Sequence, residues 1–565
     1  AHLEVPQVRR WWPAGLGEQA QYALTVAHQD GRPAWRGRIG FRTVELDTTP
    51  DRAGTAFRLS VNGTPLFVRG FNWIPDDCFP SRVDAGRYRR RLTQAREANA
   101  NLIRVWGGGI YESDEFYRIC DELGLLVWQD FPFACAAYAE EEPLWSEVAN
   151  EARQAVTRLS PHPSLALYCG GNETIWGHQD WGWKEILGQR SWGLGYYTRL
   201  LPGIVRELDP TRPYLPSSPY SFRAGVHPND PAHGATHIWD VWNRRDYTGY
   251  RSYRPRFVAE FGFQGPPAWS TLTRAIGPEE RDIGSAAVLA HQKAADGMRK
   301  LADGLRPHLP APRTFDDWHW AMSLNQARAI SLGVEHFRSL APECAGAIVW
   351  QLNDCWPVIS WSAVDGDGRR KPMWYALRRC FAPRLLTIQP RDDGLSLLAV
   401  NDDTGEWRDT VRVSHRRLDG GVIAVVEHPI AVRPGLVQQV RLPFEPVEPA
   451  RELLLAESGQ RQAWWYFAED VDADYPVPDI AAEVTAVPDG YRVAVTARSF
   501  VRDLALLADR AAADAEVDDM LVTLLPGQTA VFSVRTAAPL DAAVLTAPPV
   551  LRSANDLHGA GVPRR

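Results

Sequence analysis

Short apolar segments alternate with helical stretches from Val68 to Gln351, and this alternation restricts the possible folds more than any other feature of the sequence. Each apolar segment is too short for a helix and too apolar for a loop, so it predicts a buried strand. The predicted strands are 68–73, 102–106, 125–130, 165–168, 214–217, 236–239, 257–260 and 345–351. The stretches between them carry helix signals, such as Gly124 directly after a predicted helix over 114–123. Eight strand–helix units in succession predict a (β/α)8 barrel, also called a TIM barrel, with long insertions.

The regions on both sides of the predicted barrel show the alternating pattern that is typical of antiparallel strands. Residues 1–50 hold too few strands for a domain, so we interpret them as the remnant of an immunoglobulin-like β-sandwich in a longer chain. We assign 51–385 to the barrel. Residues 386–467 and 468–565 each predict an immunoglobulin-like β-sandwich. The predicted fold class is therefore α/β, with β-sandwich domains after the barrel.

Composition excludes some partners and suggests a compartment. A net charge of −7 over 565 residues argues against binding to nucleic acid or to an anionic membrane surface. The seven cysteines form no close-spaced pairs, which predicts buried free thiols in a reducing compartment. We therefore expect a cytoplasmic protein. Because the sequence begins at Ala1 without a methionine, a signal could be missing, and periplasmic or lysosomal locations stay as alternatives.

Two glutamates follow apolar strands at positions where catalytic groups collect. Glu173 ends the fourth predicted strand and Glu260 ends the seventh. In a parallel α/β barrel, the carboxyl ends of the strands form the face that carries catalysis. A single glutamate here would more often accept hydrogen bonds from a neighbouring loop. Two of them in the same setting favour paired carboxylate chemistry.

Other strand ends carry tryptophans, amides and charged side chains, which suit a sugar. Indole rings stack on the apolar C–H faces of a sugar, and polar side chains bind its hydroxyls. A structural core would repeat aliphatic residues at these positions instead. The predicted substrate-binding residues are Arg104, Trp106, Asn172, Trp181, His237, Trp239, Trp350 and Trp356.

Two other patterns in the sequence have simpler explanations than a cofactor site. Gly107–Gly109 is a weak phosphate-loop signal, because Glu112 stands where a dinucleotide fingerprint needs its third glycine. His227, His233 and His237 lack a cysteine or carboxylate at metal-ligand spacing. We therefore expect neither a metal nor an organic cofactor.

Several long motifs resemble the β-mannosidases of glycoside hydrolase family 2. They occupy 69–77, 101–135, 162–173, 256–264 and 347–357, and include WGGGIYE, WQDF, GGNE and AEFG. Residues 7–22 resemble the closing strands of that family's second domain. The resemblance extends along the whole chain.

The resemblance implies a retaining, exo-acting glycosidase that removes terminal non-reducing β-D-mannose by double displacement. Glu173 matches the family's acid/base and Glu260 its nucleophile, while Asn172 would bind the 2-hydroxyl of mannose. Trp106, Trp181 and Trp350 match aromatic positions of the terminal-sugar pocket. The implied partner is a β-mannoside oligosaccharide or glycan.

The family's first domain and most of its second lie outside this sequence, which makes the missing N-terminal domain a possible further partner. Three alternatives remain open at this point. The chain could hydrolyse another β-glycoside, act as an endo-β-mannosidase, or be a non-catalytic sugar-binding fragment.

Overall fold

The computed structural model describes residues 4–558 and contains a parallel sheet of eight strands. We number them β1 (Val68–Trp73), β2 (Leu102–Val105), β3 (Leu126–Asp130), β4 (Leu165–Cys169), β5 (Tyr214–Leu215), β6 (Thr236–Ile238), β7 (Val258–Phe261) and β8 (Gly346–Val349). Every predicted strand is present, with bounds that differ by at most two residues.

The order of the strands confirms the predicted barrel topology. Neighbours in the sheet run β5-β4-β3-β2-β1-β8-β7-β6, so the first and last strands pair and the sheet curls. Within residues 4–558, no ladder directly joins β5 to β6. The segment between them forms an antiparallel bridge from Tyr220 to Ala235 instead.

Helices and short turns connect the strands. Asp84 caps the first long helix by accepting a hydrogen bond from the Arg87 backbone N–H at 2.7 Å, and Gly124, with φ of 72°, ends the second. The helices are Ala85–Glu97, Asp114–Leu123, Leu144–Leu159, Thr174–Asp180, Trp183–Leu187, Tyr196–Leu200 (a π-helix), Leu201–Leu208, Asp240–Asn243, Trp269–Ala275, Ala286–Ala290, Gly297–Leu305, Phe315–Arg338, Pro372–Cys380 and Ala542–Leu545.

One helix is longer than the sequence predicts. The pattern of apolar residues predicts a helix over 324–340, whereas the helix spans Phe315–Arg338 and Thr314 caps its start. Every residue from Asp317 to Ala327 is buried. A helix that is buried on all sides shows no amphipathic stripe, so its first turns gave no periodic signal.

A small antiparallel sheet covers the N-terminal end of the barrel. Val44–Asp47 pairs with Arg58–Val61, which pairs with Thr64–Pro65. Phe57 lies 4.5 Å from the ring of Phe257, which directly precedes β7. The barrel interior is thus filled and closed at this end, so a ligand site is expected at the opposite face. The predicted domain limit at residue 50 falls inside this small sheet; the domain limits themselves stay a prediction.

The remaining N-terminal strands form a ribbon and a short bridge. Tyr22–Ala27 pairs with Pro33–Ile39, and most residues of this ribbon are exposed. Pro50–Asp51 pairs with Gly54–Thr55.

Antiparallel sheets follow the barrel, consistent with the two predicted β-sandwiches. The first pair of sheets consists of Arg384–Arg391, Gly394–Asn401 and Leu436–Arg441, and of Val422–Val432, Trp407–Arg417, Glu452–Ser458 and Arg461–Tyr466. The second pair consists of Ile480–Val487, Gly490–Ala497, Thr529–Arg535 and Glu516–Val517, and of Val522–Leu524, Val501–Leu506 and Leu551–Arg552. Trp320 of the barrel donates from its indole N–H to the Ser553 carbonyl at 2.9 Å, which ties the last sandwich to the barrel.

All seven cysteines are free thiols, as predicted, but their expected burial is only partly correct. Cys120, Cys169, Cys344 and Cys380 are buried in the barrel units. Cys78 and Cys135 are exposed, because they lie in loops beyond the strands rather than in them.

In the described range 4–558, none of the helices is both long enough and apolar enough to span a bilayer.

Candidate active site

Glu173 and Glu260 lie side by side at the carboxyl ends of β4 and β7. A carboxylate oxygen of one lies within 4.8 Å of a carboxylate oxygen of the other. Both residues are nearly buried, with 8% and 3% of their surface exposed. The 87 positions between them in the sequence are therefore bridged by the curl of the sheet, as the strand-end argument predicts.

The backbone around Glu173 fixes its side chain. A Cβ at Gly170 would collide with Pro216 and Tyr214, so only glycine lets β4 approach β5 so closely at this point. Glu173 has a left-handed backbone with φ of 56°, which costs about 1 kcal/mol for a residue with a side chain. Its N–H donates to the Ser218 carbonyl at 2.7 Å, and its carbonyl accepts from Gly177 at 2.7 Å. The surrounding structure thus holds a strained residue in one orientation.

The carboxylate of Glu260 is held between two donors. The Arg104 guanidinium donates from Nη1 to Oε1 at 2.5 Å, and the Trp239 indole N–H donates to Oε2 at 3.0 Å. Charge-assisted hydrogen bonds of this kind favour the ionised carboxylate.

Arg104 and His237, both predicted to contact substrate, have their polar atoms bound to protein groups around the acidic pair. The Arg104 side chain is fully buried, and its nitrogens bind Asn72, Asp130, Asn172 and Glu260. The His237 side chain is also fully buried, and both of its ring nitrogens bind protein groups. Both residues therefore hold the acidic pair in place, and substrate contact by either one stays a prediction.

His237 connects the two glutamates. Its Nδ1 lies 2.8 Å from Glu173 Oε1 and 3.4 Å from Glu260 Oε2, and its Nε2 lies 2.7 Å from the Ser218 hydroxyl. Burial lowers the pKa of His237 well below its usual range, and the charge of Arg104 lowers it further, so the ring is neutral. If the Ser218 hydroxyl donates to Nε2, the Nδ1–H is directed at the carboxyl pair.

The two carboxyl groups differ in their electrostatic environment. Burial raises the pKa of Glu173 to about 8, and the negative charge of Glu260 adds to this rise. Burial also raises the pKa of Glu260, but the Arg104 guanidinium and the Trp239 N–H oppose it. Glu173 is therefore the member of the pair that holds a proton more strongly, and Glu260 is the one whose ionised form its neighbours stabilise.

Most of the predicted tryptophans lie around this pair. The Trp106 and Trp350 rings meet edge to face at 5.1 Å, and Trp350 in turn lies 6.3 Å from Trp239. Trp181, 38% exposed, packs 5.9 Å from Trp176 at the end of the helix that follows Glu173. These rings form apolar walls on either side of the acidic pair.

Trp356 is the predicted tryptophan that does not join this group of rings. Its ring lies 5.0 Å from the ring of His291, outside the ring contacts that connect the other predicted tryptophans.

The triple glycine after β2 has a steric explanation. A Cβ on Gly108 would collide with the Trp106 ring, and a Cβ on Gly107 would lie 2.6 Å from the Phe133 carbonyl oxygen. The loop thus makes room for an indole platform and for a close backbone approach, not for a phosphate.

Glu173, His237 and Glu260 are also a donor set that metal ions accept. The positive charge of Arg104, 2.5 Å from Glu260, would repel a cation at this position. His237 Nε2 is engaged by Ser218 as well. The arrangement therefore suits proton transfer better than metal binding.

Several residues of the site were not predicted. Asn72 and Asp130 are polar residues in apolar strands, a signal that could have identified them. Cys135 and Ser218 lie in loops without periodicity; the Cys135 thiol is 3.5 Å from Glu173 Oε2 and 3.4 Å from the Asn172 amide nitrogen. Trp176 and Trp361 extend the aromatic walls, at 6.4 Å from His237 and 6.0 Å from Trp239.

Comparisons with known proteins point to one enzyme class, although no protein-family model matches the sequence. A β-mannosidase from goat, Capra hircus, is 35% identical over 428 residues, which cover 70% of this chain and 48% of that protein. A β-mannosidase B from Aspergillus flavus is 35% identical over 399 residues, covering 67% and 47% respectively. The chain thus spans about half the length of the curated relatives it matches.

Solved structures agree with this comparison. The crystal structure of a β-D-mannosidase from Dictyoglomus thermophilum matches with a TM-score of 0.89 at 32% identity, over 98% of this chain and 68% of that one. An exo-chitosanase from Amycolatopsis orientalis shares the fold, with a TM-score of 0.71 at 19% identity over 95% of this chain and 68% of that one.

Proposed function

This chain belongs to the β-mannosidases of glycoside hydrolase family 2, and from that premise we propose that it removes terminal β-D-mannose from β-mannosides with retention of configuration. The observation that carries the proposal is that a carboxylate oxygen of Glu173 lies within 4.8 Å of one of Glu260. Retaining glycosidases need two carboxyl groups about 5–5.5 Å apart, whereas inverting ones leave about 6.5–9.5 Å for a water molecule.

In the first step, the Glu260 carboxylate attacks the anomeric carbon. The bond from that carbon to the leaving oxygen breaks, and the oxygen takes the proton of Glu173. The products are the free aglycone alcohol and a mannosyl ester of Glu260. The raised pKa of Glu173, about 8, keeps its proton in place until this step at neutral pH.

In the second step, Glu173 has become a carboxylate and acts as a base. It removes a proton from a water molecule, whose oxygen attacks the anomeric carbon; the bond from that carbon to the Glu260 oxygen breaks, which releases mannose and the Glu260 carboxylate. Both carboxyl groups return to their starting states. Two inversions at the same carbon give overall retention.

The groups around the pair would bind the sugar. Arg104 donates a hydrogen bond to the side-chain oxygen of Asn172 at 2.7 Å. Because an arginine can only donate, this bond fixes the orientation of the Asn172 amide, and the amide nitrogen points toward the exposed residue Cys135. This amide would bind the 2-hydroxyl, whose axial orientation distinguishes mannose. Trp106 and Trp350 would stack on the C–H faces of the ring.

The proposal is tested by measuring hydrolysis of 4-nitrophenyl β-D-mannoside and of the matching β-glucoside, β-galactoside and β-glucosaminide. We expect activity on the mannoside, and its loss in Glu260→Ala. Glu343→Ala, which removes a half-exposed surface carboxylate that pairs with Arg254, serves as the control and retains activity.

Three outcomes would contradict the proposal. Preference for another glycoside would assign a different substrate. Activity that survives in Glu260→Ala would remove Glu260 from the chemistry. Binding of mannosides without hydrolysis, in a folded wild-type chain, would identify a sugar-binding fragment.

A further inference from the structure

We propose that Asp130 is a positioning residue for the reaction proposed above: it is the permanent counter-ion of Arg104, and it keeps that buried charge compensated while Glu260 becomes a neutral ester. The inference rests on the proposed function for its kinetic consequences. Asp130 itself ends β3 below the glutamate pair, where its side chain is fully buried.

Four donors hold the Asp130 carboxylate. Arg104 donates from Nη2 to Oδ2 at 2.8 Å and from Nε to Oδ1 at 3.4 Å. The Trp128 indole N–H reaches Oδ1 at 2.9 Å, and the Gly107 backbone N–H reaches Oδ2 at 3.1 Å. Both oxygens are therefore engaged by the protein, so Asp130 acts through Arg104 and does not contact substrate.

Arg104 lies between two carboxylates with no exposed surface on its side chain. One is Asp130 and the other is Glu260, at 2.5 Å from Nη1. A buried guanidinium that loses its only counter-ion is strongly unfavourable, because neither water nor salt can replace the lost charge. With two counter-ions, the loss of one leaves an intact ion pair.

The proposed reaction removes the charge of one of these counter-ions. When a Glu260 oxygen bonds to the anomeric carbon, its negative charge disappears, and the electron pair of the broken bond takes the proton of Glu173. The lost charge reappears on Glu173, whose oxygens contact His237 and Cys135. During the lifetime of the ester, Asp130 is then the carboxylate in direct contact with Arg104.

Asp130 also moderates the field of Arg104 at the nucleophile. The negative charge of Asp130 raises the pKa of Glu260, against the lowering by Arg104. Without that charge, Arg104 would stabilise the Glu260 carboxylate more strongly and make it a weaker nucleophile. Both effects slow formation of the ester, and neither slows its hydrolysis.

The test uses Asp130→Asn, which keeps the size of the side chain and removes its charge. We expect kcat/KM for 4-nitrophenyl β-D-mannoside to fall by at least about 100-fold. The acid limb of the pH profile should move to lower pH. With 2,4-dinitrophenyl β-D-mannoside, any burst of dinitrophenol in the wild type should disappear, because ester formation becomes the slow step.

Asp402→Asn is the matched control. Asp402 forms a 2.7 Å ion pair with Arg338, whose side chain is fully buried, in a part of the molecule remote from the glutamates. The control should lose stability, as measured by Tm, without moving the acid limb. If both variants lower Tm alike and neither moves the limb, the role of Asp130 is structural and the proposal is wrong.

Carbon-13 NMR of glutamate-labelled protein gives a readout that needs no turnover. The Glu260 carboxyl signal, assigned by its loss in Glu260→Gln, should titrate at lower pH in Asp130→Asn than in the wild type. An unchanged titration overturns the inference. A wild-type chain without mannosidase activity would instead overturn the proposed function, and the titration would still decide the coupling.

Trp128→Phe serves if the asparagine variant does not fold. It keeps an aromatic ring in the barrel interior and removes one donor from Asp130. The Asp130 charge stays in this variant and loses one competing donor, so its field at Arg104 and Glu260 strengthens. The acid limb and the Glu260 titration should then move slightly to higher pH, and no movement, or movement to lower pH, would contradict the role of Asp130.

Discussion

Replacing Glu173 by glutamine should affect substrates according to how much their leaving group needs a proton. The variant keeps the size of the side chain and a partner for His237 Nδ1, which lies 2.8 Å from Glu173 Oε1. It removes the proton that a pKa of about 8 holds on the wild-type carboxyl at neutral pH. Loss of a general acid costs about 10²–10⁴-fold in rate, or about 3–5 kcal/mol of transition-state stabilisation.

We expect this full loss for a β-mannosyl disaccharide, whose alcohol leaving group must be protonated. With 2,4-dinitrophenyl β-D-mannoside, ester formation should be nearly unchanged, because the phenolate leaves without a proton. Hydrolysis of the ester then lacks its base, so a burst of dinitrophenol should precede slow turnover. Azide, a nucleophile that needs no base, should restore turnover and yield β-mannosyl azide.

The assay compares kcat/KM for the two substrates in the wild type, in Glu173→Gln and in Glu147→Gln, which alters an exposed glutamate on the helix Leu144–Leu159. An equal loss for both substrates in Glu173→Gln, without azide rescue, would refute the assignment of Glu173 as the acid/base.

Three further predictions concern the neighbours of the pair and its ionisation. Trp239→Phe removes an indole N–H that donates to Glu260 Oε2 at 3.0 Å and lowers the pKa of Glu260. The acid limb of the kcat/KM profile should therefore move to higher pH, and an unmoved limb would contradict the role of this hydrogen bond. Gly108→Ala should raise KM, because the added Cβ would displace the Trp106 ring, whereas Gly203→Ala, where nothing lies within 4 Å, should leave KM unchanged. Burial raises the pKa of Glu173 from 4.5 to about 8. Between pH 4.5 and about 8, Glu173 therefore stays protonated in the folded protein but is ionised in the unfolded chain. The free energy of unfolding should therefore fall as pH rises through that window, by up to about 1.4 kcal/mol per pH unit, and urea denaturation should show a flatter dependence in Glu173→Gln.

The barrel and its acidic pair could be predicted because both depend on local patterns. Each strand is a short apolar segment with a clear end; Glu260 lies at the end of one such segment, and Glu173 follows another after the short stretch Gly170–Asn172. Once the strands are parallel and neighbouring, their ends must share one face. The separation of the pair then follows from the fold rather than from any further motif.

The network beneath the pair could not be predicted, because it depends on which side chains meet across strands. The sequence predicts Arg104 as a substrate ligand. In the structure its N–H groups donate to Asn72 of β1, Asp130 of β3, Asn172 after β4 and Glu260 of β7. Ser218 and Cys135 reach the site from loops without periodicity. The left-handed backbone of Glu173 likewise has no signal, since it is imposed by contacts with Ser218 and Gly177.

Proton NMR of the mannose released in the first minutes of hydrolysis tests the central claim most directly. Carboxyl oxygens within 4.8 Å of each other match the short spacing of retaining glycosidases and not the wider spacing of inverting ones, so we expect Glu260 to be the nucleophile and the β-anomer to appear first. Its signal should then decay to the equilibrium mixture by mutarotation. If the α-anomer appears first, water attacks the sugar directly, and the double displacement through Glu260 is wrong.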